Sequence, residues 1–371
     1  IAGQRVEGEK LSPDGTKVVF LWNAEGKPRR DLYIVSTAGG TPEKILSPDQ
    51  LPAPQRPAEK PDPLGYGVVI RDQFVRDREN SLGNFEWSPD SSRLVFTFGG
   101  DIYVMTVSDR SIKRITKTQS PEFGARFLDN DRILYSHSGN AFVLNLADAM
   151  LTQVTREADP QRFISVGNVA TSKDGRMAAY VVSDGSKQRQ LVVPNFLPEY
   201  VTGGGPRRGW TEQKLMFMPT DGSRDTPHEI KLPKPEGVSS FRRIVWAADN
   251  RSLIVDRLDR DTKRRQLFYI YNVGSKDEKI ILVTEETDDK WQAPLSAIFE
   301  PNPKNPAQLF FASERDGFNH LYLATLEGSF TAETQSRGET QAETRPVGSV
   351  SPTEKEQNLT GSVPTPSVKI E

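Results

Sequence analysis

The sequence predicts an all-β chain: a β-propeller of four-stranded antiparallel blades, six recognisable and six to eight allowed, followed by a disordered C-terminal tail. Three observations carry this expectation. A strand–turn–strand unit recurs along the chain. The residues after each turn alternate, and a period of two is the signature of a pleated strand. The turns recur at intervals that fit one four-stranded blade, about 40–50 residues.

The unit is plainest at 85–107, FEWSPDSSRLVFTFGGDIYVMTV, with a looser copy over 9–23 and 31–46. In WSPD (87–90) and SPDG (12–15), Pro presets φ for the first turn position. Asp or Ser accepts a local backbone hydrogen bond, and Gly supplies positive φ where the chain reverses. Leu94, Phe96 and Phe98 should then point one way and Val95 and Thr97 the other; Val18, Phe20 and Trp22 repeat the pattern. DIYV (101–104) and DLYI (31–34) form the next strand, and KRIT (113–116) and EKIL (43–46) close the unit. Weaker copies lie at 125–146 with TQVT (152–155), at 169–182, at 244–258 with 266–273, and at 295–328. Turn aspartates fall at 14, 90, 129, 174 and 249, with gaps of 76, 39, 45 and 75 residues. The longer gaps predict insertions or a degenerate blade. Radial stacking buries both faces of each sheet and leaves only short edges. A pair of β-sandwiches, the alternative, has turn signals without self-similarity at a long period.

The propeller is assigned to 1–328. Residues 47–63 hold six prolines and read as a loop, because Pro cannot donate to a ladder. Residues 194–212, PNFLPEYVTGGGPRRGWTE, read as a rim insertion, and QKLMFMPTDG (213–222) as the returning strand. Residues 329–371 contain one aromatic, Phe330, among Thr, Ser, Glu, Gln and Pro. Such a segment buries too little apolar surface to offset its ordering entropy, so disorder is expected.

The 371 residues carry 48 Lys+Arg against 50 Asp+Glu, a net charge of −2, which excludes the basic excess of a nucleic-acid binder. With no cysteine, disulfides, cysteine metal sites and thiol nucleophiles are excluded. His137, His228 and His320 show no ligand spacing, so no metal and no cofactor is expected. No apolar run approaches the roughly 18 residues of a membrane span. The chain opens on Ile1 without a leader and reads as a mature form or an excised fragment.

Catalytic residues are not found. An α/β-hydrolase nucleophile needs a G-x-S-x-G elbow, and the sequence has none. Ser136, His137 and Ser138 are adjacent, but neighbours on a strand face opposite ways, so a polar turn between strands is expected instead. Asp288-Asp289 and Glu285-Glu286 read as solvated charge, although carboxylates converging in a propeller funnel could serve acid–base work. GGGPRR (203–208) lacks the strand–loop–helix setting and the Lys-Ser/Thr of a phosphate loop. Arg207, Arg208 and Trp210 form a contact candidate in the rim insertion: arginine pairs bidentately with carboxylates, and Trp is a rigid apolar anchor.

SERDGFNHLYL (313–323), with LVTEETDDKWQ (282–292) upstream, resembles the propeller domain of the dipeptidyl peptidase IV family of serine peptidases. RRGWTEQKL (207–215) resembles its bacterial members. WSPD, DIYV and KRIT fit too, but TolB-type propellers share them. The likeness spans roughly 9–328. It implies a propeller, eight-bladed in the best-known members, capping an α/β-hydrolase that carries a Ser-Asp-His triad. It also implies that the propeller walls a chamber and helps hold the peptide's free amino terminus. Trp291 and Gln292, on the link that faces the chamber by family position, are the second contact candidate. The family's amine-binding glutamate pair has no counterpart in READPQRFISVGN (156–168); the adjacent pair here is Glu285-Glu286. The expected function is a non-catalytic propeller module that gates access and orients peptide for a hydrolase domain outside this chain. The expected partners are a peptide substrate, that domain and, for the parent, a second copy in a homodimer; the expected location is the periplasm or the exterior. The alternative is a free-standing TolB-type interaction propeller.

Overall fold

Asp14 and its counterparts show why the repeat folds as it does. In the computed structural model, Ser12 Oγ donates to Asp14 Oδ1 at 2.5 Å and accepts from Lys17 N at 2.9 Å, while Asp14 accepts from Thr16 N at 3.0 Å. Ser88 and Asp90 repeat this with Arg93 N and Ser92 N, as do Ser172 and Asp174 with Met177 N and Arg176 N. The fourth turn position takes positive φ at Gly15, Ser91, Gly175 and Asn250. Each turn therefore satisfies its own backbone groups and launches a strand.

The structure describes residues 5–26, 29–52, 81–190, 207–208, 211–259, 261–288, 298–327 and 367–370. It forms six four-stranded antiparallel sheets in chain order, the blades of a β-propeller. Blade 1 is β1 to β4 (Val6–Leu11, Lys17–Trp22, Asp31–Ser36, Glu43–Leu46); blade 2 is β5 to β8 (Gly83–Trp87, Arg93–Phe98, Asp101–Thr106, Ile112–Arg114). Blade 3 is β9 to β12 (Glu122–Phe127, Arg132–His137, Asn140–Asn145, Leu151–Gln153). Blade 4 is β13 (Ile164–Thr171), β14 (Met177–Asp184), β17 (Glu212–Pro219) and β18 (His228–Ile230); a ribbon of β15 (Arg189–Gln190) and β16 (Arg207–Arg208) stands between β14 and β17. Blade 5 is β19 to β22 (Ser240–Trp246, Leu253–Asp259, Arg264–Tyr271, Lys279–Thr287); blade 6 is β23 to β26 (Phe299–Pro301, Gln308–Ser313, His320–Glu327, Ser367–Ile370). A single 3₁₀ turn, Pro48–Gln50, follows β4.

The last strand corrects one expectation. Ser367–Ile370 pairs with Ala324–Glu327 and completes blade 6, so the end of the expected disordered tail is ordered. Val368 and Ile370, spaced by two, pack on the blade 6 core and explain the exception. Residues 53–80, with most of the proline-rich insertion, and 328–366 lie outside the described residues.

The chain divides into two units, 1–233 and 234–371. In the first, Leu94, Phe96 and Phe98 share a core with Val19, Leu32 and Ile34 of blade 1, while Val95 packs with Ala125, Ile133 and Tyr135 of blade 3. The expected alternation of β6 thus becomes the two faces of one blade. Leu134, Ala141 and Val143 continue the series against Ala178, Tyr180 and Met218 of blade 4. In the second unit Leu267, Tyr269 and Ile281 of blade 5 pack on Phe299, Leu309 and Phe311 of blade 6. Full burial of each Val, Leu, Ile, Phe or Met side chain among these stabilises by about 1.5–3 kcal/mol. The turns also join blades: Asp14 N donates to Ser91 Oγ at 3.0 Å and Asp90 N to Asn130 Oδ1 at 3.1 Å.

The first strand of five blades carries a β-bulge, at Glu7/Lys10, Gly83/Phe85, Phe123/Arg126, Gly167/Ala170 and Phe241/Arg243. Gly8, Gly124 and Asn168 take positive φ there. A bulge bends the strand and re-aims its side chains.

Candidate functional site

Strand β20, LIVDRLD, breaks the apolar rule: Asp256, Arg257 and Asp259 are all buried. Buried charges persist only when paired, and the register supplies the partners. Asp259 lies opposite Arg264, Leu258 opposite Arg265 and Arg257 opposite Gln266; β22 then places Thr287, Glu286 and Glu285 on the same rungs. The sequence thus writes three successive charged rungs at one end of blade 5.

The rungs divide between two faces. Towards blade 6, Arg265 is fully buried; its Nη1 donates to Ala312 O at 2.6 Å and its Nε lies 3.3 Å from Asp256. Arg242 donates to the same Asp256 oxygen at 2.7 Å. Glu286 is nine-tenths buried, 3.8 Å from Arg265, and neither of its carboxylate oxygens has a hydrogen-bond donor among the described residues. On the other face Arg264 pairs with Asp259, and Arg257 donates through Nε to Gln266 at 3.1 Å while lying over the Phe268 ring. Gln266 passes the chain of bonds to Glu285 at 2.7 Å. Burial pulls the Arg257 guanidinium below its ordinary value, against the pull of Asp259.

Next to this network stands the turn Glu314–Asn319. Arg315 fixes it: Nη2 donates to Thr284 Oγ1 at 2.7 Å and Nε to Ser313 Oγ at 3.0 Å. Its guanidinium also lies 5.2 Å from the Phe311 ring and 4.7 Å from Tyr322, a cation–π clamp. Asp316 lies 2.9 Å from His320 Nδ1 and accepts from Phe318 N at 3.4 Å. The Tyr322 hydroxyl, with smaller help from the Phe318 N–H and His320, holds the Asp316 carboxyl below its usual range against burial. Phe318 stacks on His320 at 6.3 Å, yet 74% of Phe318 is exposed. LVTEETDDKWQ and SERDGFNHLYL, thirty residues apart in sequence, therefore meet through the Arg315–Thr284 bond. They present a pinned turn with an aromatic–imidazole tip.

The sequence-derived contact residues fare differently. Arg207 and Arg208 are placed as β16, opposite Gln190 and Arg189. Trp210, Trp291 and Gln292 lie outside the described residues. Sequence reasoning missed Arg265 and Arg315, and it read Glu286 as solvated charge, whereas Glu286 is buried beside Arg265. The available signal was RRQ (264–266) opening a strand that otherwise reads apolar.

Ser136 belongs to β10 rather than to the expected turn, which is only Ser138–Gly139, and His137 ends the strand. Its Nδ1 is 3.3 Å from Glu122, whose carboxylate already accepts from the Thr116 and Thr118 hydroxyls. No serine hydroxyl is bonded to it among the described residues. A groove of about 410 Å³ between blades 1 and 2 is lined by Lys17, Glu43, Val107 and Arg110. There Arg110 is already spent on Glu43 and the Val107 carbonyl. Among the described residues no three His, Asp or Glu side chains are placed to hold a metal, and no helix is long and apolar enough to cross a membrane.

Residues 118–356 match the family described as Dipeptidyl peptidase IV (DPP IV) N-terminal region. The crystal structure of Porphyromonas gingivalis dipeptidyl peptidase 4 is similar in fold, with a TM-score of 0.58 at 16% identity. The match covers 86% of this chain and 45% of that one, so the present chain spans under half the length of that relative.

Proposed function

The chain belongs to the dipeptidyl peptidase IV N-terminal region family, and from that premise we propose that it is the non-catalytic propeller module of a dipeptidyl-peptidase-IV-like serine exopeptidase. It gates access and orients peptide for an α/β-hydrolase domain of the parent protein, in the periplasm or outside the cell. The observation that carries this reading is the convergence at blades 5 and 6. Two buried cation–carboxylate networks stiffen the sheet ends, and Arg315 pins the Phe318–His320 tip on them. A rigid, partly apolar, partly hydrogen-bonding tip suits a peptide chain, and positioning of this kind lowers a barrier supplied by other residues. Arg207, Arg208, Trp210, Trp291 and Gln292 are proposed as further contacts with peptide or partner.

The test uses the chain alone with an aminoacyl-proline reporter amide and a fluorophosphonate probe. Neither turnover nor covalent labelling is expected. Peptide affinity, read by calorimetry, should fall by about 1–2 kcal/mol in Phe318→Ala, the effect of removing a contact aromatic. Fluorophosphonate-sensitive turnover by the pure chain would sink the non-catalytic reading. Peptide binding indifferent to Phe318 would sink the assignment of the tip.

A further inference from the structure

The outer hairpins of blades 2, 3 and 4 turn in the same way. Asp109, Asp148 and Asp221 each accept from the N–H two residues on, at Ser111, Met150 and Ser223, all at 2.9 Å. In each turn the residue after the aspartate takes positive φ: 61° at Arg110, 59° at Ala149 and 74° at Gly222. This left-handed position favours glycine, and a Cβ there is strained. Blade 4 has the glycine, blade 3 the smallest side chain, and blade 2 an arginine. Turn geometry gives no reason for an arginine, so the reason lies in what its guanidinium reaches.

The guanidinium lines the groove of about 410 Å³ between blades 1 and 2. Nη1 donates to the Val107 carbonyl at 2.7 Å, which orients the group, and Nη2 donates to Glu43 Oε2 at 3.0 Å. The two contacts differ in kind. Val107 is buried, whereas the Glu43 side chain is 65% exposed, and an exposed ion pair of this sort holds weakly. Glu43 therefore covers an oriented guanidinium with a carboxylate that is easily exchanged. On the blade 1 wall of the same groove Lys17 is exposed and has no ion pair among the described residues. Its field reaches Asp14, whose carboxylate is already taken by Ser12 and Thr16. Ser36 and Ser108 add hydroxyls to the walls. Two cations, hydroxyls and a volume in the range of small-molecule pockets suit a carboxylate ligand.

We propose that the groove between blades 1 and 2 is a carboxylate-binding site for which Glu43 is an internal competitor. The ligand's carboxylate displaces Glu43 from Arg110 Nη2, uses the guanidinium that Val107 already orients, and gains the Lys17 ammonium as a second counter-charge. The carboxylate is either free in a small organic acid or carried on a peptide side chain, and the two sources are separated by experiment.

The test titrates glutarate, its uncharged analogue glutaramide and the blocked peptide acetyl-Ala-Glu-Ala-amide into the full chain by calorimetry, at low and at high salt. Glutarate or the peptide should bind and glutaramide should not; whichever of the two binds more tightly names the source. Glu43→Gln should bind that ligand about fivefold more tightly, because the competitor is gone. Arg110→Gly should bind it about tenfold more weakly, and high salt should weaken it in every variant. Arg110→Gly should keep its thermal midpoint, since glycine suits this turn as it does at Gly222, so its loss of binding is not a loss of fold. Binding of neither acid, equal binding of glutaramide, a Glu43→Gln variant no tighter than the parent, or undiminished binding in Arg110→Gly would each overturn the proposal. The readout involves neither turnover nor the Phe318 tip, so this proposal and the peptidase-module reading can fail separately.

Discussion

Arg265 shows how a single residue decides the state of its neighbours. Fully buried, it is the shared counter-charge of Asp256 and Glu286 and also holds a carbonyl of the next blade. Arg265→Met keeps much of the volume and removes the charge. Breaking one partner out of a buried ionic group costs about 3–5 kcal/mol; here Glu286 loses its buried counter-charge and Asp256 keeps only Arg242. A urea unfolding free energy lowered by less than a third of that cost would mean that water already reaches the site. Asp14 acts with the opposite exposure. Its carboxyl is lowered to about 2, first by Ser12 and then by Thr16. A depressed carboxylate contributes stability that is present above its ordinary value near 3.8 and lost as pH falls towards 2. Acid unfolding should therefore begin at higher pH in Ser12→Ala than in the parent, and identical acid transitions would show that the turn bond contributes nothing.

Among elements, the turns and second strands of the blades were legible in sequence, and the first strands were only partly so. SPD reads as a turn because Ser, Pro and Asp each have a local reason to be there, and alternation over Leu94–Phe98 needs no partner to be seen. The bulges at Gly8, Gly124 and Asn168 depend on how the next strand is paired, which one strand's sequence does not state. An isolated glycine within a strand was the available hint. The charged rungs of blade 5 were hidden for the same reason: Asp256, Arg265 and Glu286 neutralise one another only once three strands are in register. Ser367–Ile370 was masked by a composition that is polar for forty residues before it. At Gly175 the turn and the blade contact coincide. Its φ is +66°, and a Cβ would stand 2.9 Å from the Leu128 carbonyl of blade 3. Gly175→Ala should cost about 1–3 kcal/mol through backbone strain and that contact. A denaturation midpoint equal to the parent's would show that blades 3 and 4 are free to part there.

For the whole molecule the open question is the far face of blade 6. Phe299, Leu309 and Phe311 cover blade 5, so alternation turns Phe310 the other way, together with Ile298 and Leu321. These three remain 43%, 54% and 72% exposed. A blade normally hides both faces against neighbouring blades, and an exposed apolar patch on an isolated module is an association site. The chain alone should then associate as its concentration rises, seen as a growing sedimentation coefficient. Phe310→Glu with Leu321→Glu should abolish the growth while changing stability by only about 0.5 kcal/mol per substitution, as at other exposed positions. Association that persists in the double variant would locate the sticky surface elsewhere. A large loss of stability would mean that Phe310 and Leu321 already have a partner within this chain.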